Sequence, residues 1–552
     1  MIQMYRQSAD IVIRNATIYT VALTIDEIKQ GNYDFPVIKN GYVAVKDGKI
    51  ISVSDKEIKE LIDQETEIIE ADGQVLIPGL VDSHTHAMFA GLDFGAKDLT
   101  GAQSKEALIN LMLTQSKEQD STEWICGREW NELIWSQAIM PTCKDLDRVS
   151  IEKPILCTRL CHHIYLVNSK ALDLAGITKE TPDPESGKIG RFEDGSPNGL
   201  FYEEGGLDLI NKILPPVTVE DGVNAIEIIG KHLNSNGITS IIDANLCSMN
   251  IRSYFEAEKA GKLSYRANPM LLINPSETGD LEDYRKQIED FVLRTGHGND
   301  MVKLNGIKIM MDGIPAAGTA YMREPYEHMP DSCGFLTIKA NEFLEAVKIG
   351  AKNNWQVGVH AIGTKAVDVA LDAYQKAYCI PGVNDSRHYV IHANFPAQDQ
   401  LPLMKMMDVG VAAQPTIFHL MGEENLLCDK NANLNSPCKL YMDHGIICAG
   451  SSDFPVIPCN PFLGMYAAIT RIASDGKVWG EEHRITPNQA LIMWTMNSAY
   501  LSNSEKKIGS IEIGKLADLT LIDTEILTCR TEEIKNTKVL KTITNGHVVY
   551  SL

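Results

Sequence analysis

Two histidines one residue apart, His84 and His86, are the first residues whose type and spacing suggest chemistry. They end an apolar run, and because side chains alternate along a strand, both imidazoles point to the same face. Two nitrogen donors that converge in this way form half of a metal site. Their place at the end of a predicted buried strand, soon after Pro78 and Gly79, favours the mouth of a barrel over a surface zinc finger.

Further metal-binding residue types accompany apolar runs later in the chain. Lys308 lies within one such run, His360 and His392 each end one, and Asp453 follows another. If these runs are parallel strands of one barrel, their C-terminal ends meet at one face, where we expect these side chains to converge. Imidazole and carboxylate groups suit Zn²⁺, and other divalent transition metals are compatible with the same donors.

Lys308 cannot bind a metal while it is protonated. Its apolar neighbours Ile307 and Ile309 predict a desolvated amine with a lowered pKa. Such an amine can react with CO₂ to give a carbamate, which is anionic and able to bridge two cations. Two other interpretations stay open: an ion pair with Asp312, or a plain cation that faces the substrate.

These donors need a scaffold, and the central part of the chain has a repeated pattern that predicts one. Short apolar runs alternate with loops and helix-like stretches, which is typical of parallel βα units. Eight such units predict an α/β fold with a closed (β/α)8 TIM barrel. The eight runs are 79–83, 239–243, 266–273, 306–311, 356–360, 389–392, 410–414 and 446–451.

The two ends of the chain have a different pattern. Apolar and polar residues alternate near both termini, with turn signals at Asp47-Gly48 and Asn545-Gly546. We therefore predict a small β-sandwich domain from residues 1–74 and 505–552, with the barrel at 75–504. The long gap between the first two barrel strands predicts an inserted, lid-like subdomain at about 95–235.

Composition narrows the class of protein. The chain has 552 residues, of which 44% are hydrophobic and 22% charged, as expected of a globular protein. A net charge of −22 argues against nucleic acid or a membrane surface as a partner and favours a small-molecule substrate. The twelve cysteines form no CxxC pair and no signal-like apolar run is present, so we expect reduced thiols and a cytoplasmic protein. Whether the protein forms a homodimer stays open.

Ten stretches between Val75 and Asp523 resemble the amidohydrolase superfamily, and within it the YtcJ-like branch, amidohydrolase family 3. The His-x-His pair alone is a weak signal, whereas ten stretches in the family's order are a strong one. They are VLIPGLVDSHTH, WICGREWNELIW, YLVNSKALDLAGI, NSNGITSIIDAN, GIKIMMDG, VGVHAIGTKAVD, HYVIHA, AAQPTIF, GSSDFPV and GSIEIGKLADLTLID.

The resemblance implies a metal-dependent hydrolase of amide or other non-peptide C–N bonds in small N-acyl, N-formyl or cyclic amides. Zn²⁺, one or two ions per chain, is the implied cofactor, together with a CO₂-derived carbamate on Lys308. Asp453 is expected to take a proton from the attacking water and return it to the leaving amine, and His392 is expected to be catalytic as well. The implied metal ligands are His84, His86, Lys308, His360, His392 and Asp453.

Two segments of the predicted insert depart from the family pattern. Of the family's Asp-Gly-His segment only His163 is present, and Glu129 and Asn131 replace the usual glycine and aspartate. The resemblance implies substrate contacts by His163, Trp130 and Arg128. Glu129 indicates a substrate that differs from those of other members, and no role is carried over to Cys161 or His162.

Other classes of function stay open. A metal-dependent deaminase would use one metal and Asp453 without needing Lys308, so metal content distinguishes it from an amidohydrolase. A non-catalytic barrel scaffold is expected to lack part of the ligand set, which is complete here. Hydrolysis of phosphate esters is disfavoured by the predicted terminal β domain.

Overall fold

A computed structural model describes residues 8–94, 96–118, 124–159, 164–184, 187–273, 281–291, 293–315, 318–327, 329–381, 383, 386–425, 429–473 and 475–552. The strands, in chain order, are β1 Ile11–Tyr19, β2 Val37–Lys46, β3 Lys49–Ser54, β4 Glu67–Glu70, β5 Val75–Pro78, β6 Leu80–Thr85, β7 Lys97–Asp98, β8 Ile125–Trp130, β9 Ile155–Arg159, β10 Ile164–Val167, β11 Lys188–Arg191, β12 Pro197–Tyr202, β13 Ile238–Leu246, β14 Arg266–Leu272, β15 Gly306–Met310, β16 Val357–Ala361, β17 Tyr389–His392, β18 Gly410–Ala413, β19 Cys448–Gly450, β20 Leu519–Ile522, β21 Val539–Thr544 and β22 His547–Ser551.

The α-helices are Ile25–Lys29, Ala87–Phe94, Lys105–Glu118, Cys143–Leu146, Ser169–Ala175, Glu203–Asn211, Val219–Ser235, Ser248–Lys259, Leu281–Asp290, Ala340–Lys352, Thr364–Tyr378, Leu401–Met406, Pro415–Asn425, Cys438–Asp443, Pro461–Thr470, Pro487–Ile492, Ser498–Leu501 and Thr531–Ile534. The chain forms two compact units, Met1–Met88 with Ile229–Leu552, and Phe89–Ile228.

The first unit contains a parallel eight-stranded sheet in the order β6-β13-β14-β15-β16-β17-β18-β19. Each strand falls on one of the eight apolar runs of the sequence, so the predicted parallel barrel strands are confirmed. The strands are buried almost throughout, as expected where helices cover a parallel sheet.

The edge strands β6 and β19 are joined at their C-terminal ends. Ser83 Oγ donates a hydrogen bond to the Gly450 carbonyl at 3.0 Å. The Asp453 amide donates to the His84 carbonyl at 2.9 Å. These bonds bring the first and last strands of the sheet together, so the barrel is nearly closed at the end where the candidate ligands lie.

The helix Thr364–Tyr378 illustrates how the sequence positions the layer outside the barrel strands. Its buried positions recur at helical spacing and include Val367, Leu371 and Tyr374. The Tyr374 hydroxyl lies 3.1 Å from the Val357 carbonyl and 3.0 Å from the Tyr389 carbonyl, on β16 and β17. The apolar face and this hydroxyl together place the helix against the two strands that carry His360 and His392.

The first unit also contains a sheet built from both ends of the chain. Its strand order is β22-β21-β20-β5-β1-β2-β3, with β4 paired to β1. Along β1, Ile11 and Ile13 pack into one apolar cluster and Val12 into another, as alternation along a strand requires.

In the terminal sheet, β5 pairs with both β1 and β20 and so joins the N- and C-terminal strands into one hydrogen-bonded eight-stranded sheet. That this sheet packs as a β-sandwich stays a prediction. One boundary is corrected: we assigned residues from 75 onward to the barrel, whereas Val75–Pro78 belongs to the terminal sheet and the barrel strand begins at Leu80. The apolar run across Gly79 has no internal signal for this division.

The second unit has its own sheet, in the order β11-β12-β10-β9-β8-β7. The strands β7, β8 and β9 are parallel, and the remaining pairs are antiparallel. Two apolar clusters fill its interior. Its bounds, Phe89–Ile228, overlap the insert predicted at about 95–235, and the lid role of that insert stays a prediction.

Two further findings concern the part of the chain that the structure describes. No helix there combines the length and apolar character needed to cross a membrane. The ten cysteines located there are all free thiols.

Candidate metal centre

Three predicted ligands converge where the first and last barrel strands meet. His84 Nε2 and His86 Nε2 each lie 3.2 Å from the same oxygen, Oδ1 of Asp453. Potential ligand atoms of the three residues lie within 4.8 Å of one another. The structure therefore brings His84, His86 and Asp453 into one group with the chemistry of a metal site.

His84 is fully buried, and neither ring nitrogen forms an aligned hydrogen bond with a described residue, although Nε2 approaches Asp453 Oδ1 to 3.2 Å. Buried polar atoms without partners are costly and need an explanation. Burial and then the nearby Lys308 charge lower the pKa of His84 well below its usual range. The ring is therefore neutral, which is the form that binds metals.

The histidines of the fifth and sixth barrel strands adjoin this group. The ring centres of His84 and His392 are 5.5 Å apart, and those of His392 and His360 are 4.4 Å apart. Burial, followed by the Lys308 charge, lowers the pKa of His360 to about 3. Its Nε2 atom also has no hydrogen-bond partner among the described residues.

Lys308 is 1% exposed, and among the described residues the Asp453 charge is what attracts its amine. Burial lowers the pKa of its amine to about 7, so a large fraction is neutral near neutral pH. The ion pair with Asp312 that we left open is not formed. Asp312 instead accepts hydrogen bonds from the backbone amides of Tyr321, Ile362 and Gly363.

A buried carboxylate that the sequence analysis did not assign, Asp82, supports the group. It accepts hydrogen bonds from Ser452 Oγ at 2.5 Å, the Ser452 amide at 3.0 Å and the His84 amide at 3.2 Å. Burial raises the pKa of Asp82 to about 7. These contacts tie the strand that carries His84 to the segment that carries Asp453. The sequence signal that could have identified Asp82 was its position two residues before the candidate ligand His84.

Two of the predicted ligands have an unusual backbone conformation. His392 has a φ of 76° and Asp453 a φ of 62°, in the left-handed region that non-glycine residues rarely adopt. Such conformations are strained and persist where surrounding contacts hold them, often at functional sites. For Asp453, the amide bond to the His84 carbonyl is one such contact.

In His86 and His392, the Nδ1 atom of the ring faces a hydrogen-bond acceptor. His86 Nδ1 lies 3.4 Å from the Ala244 carbonyl, and His392 Nδ1 lies 2.7 Å from Gln414 Oε1. A carbonyl oxygen only accepts, so each Nδ1 carries a proton. Burial lowers the pKa of His392 well below its usual range, so its neutral ring has the lone pair at Nε2. Gln414, at the end of the seventh run, was not predicted as a site residue.

The donor set fits a divalent transition-metal centre. The ring nitrogens of His84 and Nε2 of His360 form no aligned hydrogen bond with a described residue, and only the Asp453 charge attracts the buried amine of Lys308, so these polar groups are buried at a cost. A cation bound among them gives each a partner.

The three predicted substrate-binding residues belong to the second unit. Trp130 is fully buried among that unit's apolar residues, with its ring 6.4 Å from that of Trp135. Arg128 lies 2.9 Å from Glu129, and its guanidinium carbon lies 4.1 Å from the centre of the Phe94 ring. His163 lies outside the described residues. Their substrate contacts stay predictions.

Comparisons with known proteins agree with these features. A model of the amidohydrolase family matches residues 67–550. The putative amidohydrolase YtcJ of Bacillus subtilis is 28% identical over 542 residues, covering 95% of this chain and 99% of that protein. An N-substituted formamide deformylase of Arthrobacter pascens is 24% identical, covering 99% of both chains. The crystal structure of an uncharacterized metal-dependent hydrolase from Pyrococcus horikoshii has a TM-score of 0.76 at 25% identity, covering 95% of this chain and 99% of that one. The family predicted from the sequence motifs is confirmed: this chain belongs to the amidohydrolase family.

Proposed function

We propose that this chain is a metal-dependent amidohydrolase that cleaves the C–N bond of a small N-acyl, N-formyl or cyclic amide. The observation that carries the proposal is the convergence of His84 Nε2 and His86 Nε2 on one oxygen of Asp453, each at 3.2 Å. Membership of the amidohydrolase family and the similarity to an N-substituted formamide deformylase support it. The net charge of −22 supports a small molecule as the partner, rather than nucleic acid or a membrane.

Zn²⁺ is the proposed metal, with one or two ions per chain. When bound, the metal supplies a Lewis acid for the substrate carbonyl and for the attacking water. The neutral amine of Lys308 adds CO₂ to form an N–C bond, releasing one proton and leaving an anionic carbamate that can join two ions. The proposed ligands are His84, His86, Lys308, His360, His392 and Asp453.

Asp453 is the proposed proton-transfer group. Burial alone would raise its pKa, but its contacts with His84 and His86 outweigh burial and hold the pKa well below the usual range. The side chain is therefore a carboxylate at neutral pH. It accepts a proton from the attacking water and returns it to the leaving nitrogen, so that a carboxylate and an amine are released. His392 contributes to catalysis as a metal ligand near Asp453.

The test is hydrolysis of a panel of N-acyl, N-formyl and cyclic amides by protein of measured metal content. We expect up to two zinc equivalents per chain, with carboxylate and amine released in equal amounts from at least one panel member. Asp453→Asn is the inactive control, and Asp399→Asn, an exposed carboxylate, is the matched active control.

The alternatives give different results in the same experiment. Release of ammonia from an aminated ring, with one metal per chain, would identify a deaminase. Absence of bound metal after loading at neutral and alkaline pH, with no hydrolysis across the panel, would contradict the enzyme proposal and favour a scaffold.

A further inference from the structure

A chain of hydrogen bonds joins three successive barrel strands beside the candidate metal centre. His392 ends β17, Gln414 directly follows β18 and Ser451 directly follows β19. Gln414 Oε1 lies 2.7 Å from His392 Nδ1, and Gln414 Nε2 donates to Ser451 Oγ at 2.7 Å. All three side chains are buried. The seventh strand carries none of the predicted ligands, yet it contributes the central residue of this chain.

The contacts of the Gln414 amide determine which end faces His392. Its Nε2 also lies 2.8 Å from the Ala412 carbonyl, which can only accept. Ser451 Oγ donates its own hydrogen to the Ala413 carbonyl at 3.0 Å, so it accepts from Gln414. Oε1 is therefore the atom that faces His392.

The orientation of this amide determines the state of the histidine. Because Oε1 only accepts, His392 Nδ1 donates to it, and the neutral ring has its lone pair at Nε2. His86 provides an internal comparison, because its Nδ1 lies 3.4 Å from the main-chain carbonyl of Ala244. The Nδ1 atom of His86 therefore contacts the backbone, whereas that of His392 contacts a side chain that a substitution can replace.

We propose that Gln414 is a positioning residue that sets the tautomer and ring orientation of His392, so that Nε2 is presented to a metal ion. The inference rests on the proposed function, since it concerns a ligand of the proposed centre. Gln414 acts through His392 and has no assigned contact with the substrate.

Three variants test this role. Gln414→Met keeps the length of the side chain but removes both the acceptor and the donors, whereas Gln414→Glu keeps an acceptor for His392 Nδ1. Gln356→Met is the matched control, because Gln356 is a buried glutamine whose amide donates to the Arg387 and Leu501 carbonyls just before β16. It therefore reports the effect of losing a buried amide away from the metal centre.

The first readout is metal binding, measured by titrating chelator-treated protein with Co²⁺ in competition with a chelator and following the visible absorption of the bound ion. We expect Gln414→Met to weaken binding about 10- to 100-fold and to change the absorption spectrum. Gln414→Glu should recover most of the affinity, and Gln356→Met should bind as the unaltered chain does. Unchanged affinity and spectrum in Gln414→Met, or equal weakening in Gln356→Met, would overturn the inference.

The second readout does not need a metal. Nitrogen NMR of metal-free protein labelled only at histidine reports which ring nitrogen carries the proton, and loss of a signal in His392→Gln assigns the residue. We expect the Nδ1-protonated form in the unaltered chain and in Gln414→Glu, and a mixture in Gln414→Met. If the unaltered chain binds no metal, the proposed function fails, and this readout still decides whether Gln414 sets the tautomer.

Discussion

The two ends of the barrel differ in how their buried polar groups are satisfied. At the N-terminal end, Arg266 opens β14 and contacts Asp518 through two hydrogen bonds of 2.6 and 2.8 Å. Its remaining donors bond to the Asp300 carbonyl and to Asn545. This guanidinium is therefore almost completely satisfied although it is buried.

At the C-terminal end, buried groups of comparable polarity lack such partners. Within the described parts of the chain, only the Asp453 charge attracts the amine of Lys308, and neither ring nitrogen of His84 forms an aligned hydrogen bond. A group buried without a partner lowers the stability of the fold. The difference indicates that one end of the barrel is organised for stability and the other for binding, as is usual for this architecture.

The largest effect is expected on catalysis, at the C-terminal end of the barrel that carries the candidate metal centre. Asp453→Asn keeps the shape of the side chain but removes the negative charge and the proton acceptor. We expect kcat/KM to fall by at least about 10³-fold, with a thermal midpoint close to that of the unaltered chain. Retention of more than a tenth of the activity in purified, metal-loaded Asp453→Asn would contradict the assigned role.

The second largest effect is expected on stability, at the N-terminal end of the barrel, where the buried polar groups have partners. Arg266→Met leaves Asp518 buried with a charge and no guanidinium partner, which should lower the free energy of unfolding by about 3–5 kcal/mol. The measurement is the urea midpoint, with activity per folded molecule unchanged. The double variant Arg266→Met, Asp518→Leu removes the stranded charge and should recover part of the loss. If Arg266→Met were as stable as the unaltered chain, the proposed difference between the two ends of the barrel would be wrong.

The third prediction concerns a substitution, Lys308→Met, that should have opposite effects on stability and on function. Lys308→Met replaces a desolvated amine by an apolar side chain of similar length, so metal-free protein should gain about 1–3 kcal/mol in stability. The same change should lower metal content and activity. Lys303→Met serves as a control, since Lys303 donates to the Asn503 carbonyl and to Ser504 and should lose stability instead. Destabilisation by Lys308→Met would show that its amine has a partner in the folded protein.

The smallest effect is expected outside the barrel. Lys376 pairs with Asp372 one helical turn away at 2.7 Å, and both side chains are about half exposed. Lys376→Ala should change the free energy of unfolding by no more than about 0.5 kcal/mol and leave activity unchanged. Chemical denaturation of both proteins side by side checks this baseline, and a loss above 1 kcal/mol would mean that exposed pairs matter as much as buried ones.

The sequence predicted those parts of the molecule that depend on periodicity and on residue type. The eight parallel strands follow from apolar runs that only a sheet covered on both faces can bury. The convergence of His84, His86 and Asp453 follows from their positions at strand ends. The sequence did not reveal that β5 belongs to the terminal sheet, because its apolar residues suit either sheet equally.

The sequence by itself determined the family, the parallel strands and the types of side chain available for a metal centre, since these depend on local pattern and chemical identity. Only the tertiary structure decided which polar groups have partners. Asp312 bonds to backbone amides rather than to Lys308, and Gln414 bonds to His392 although 22 residues separate them. Hydrogen bonding depends on distances and angles between atoms from distant parts of the chain, and no local pattern encodes these.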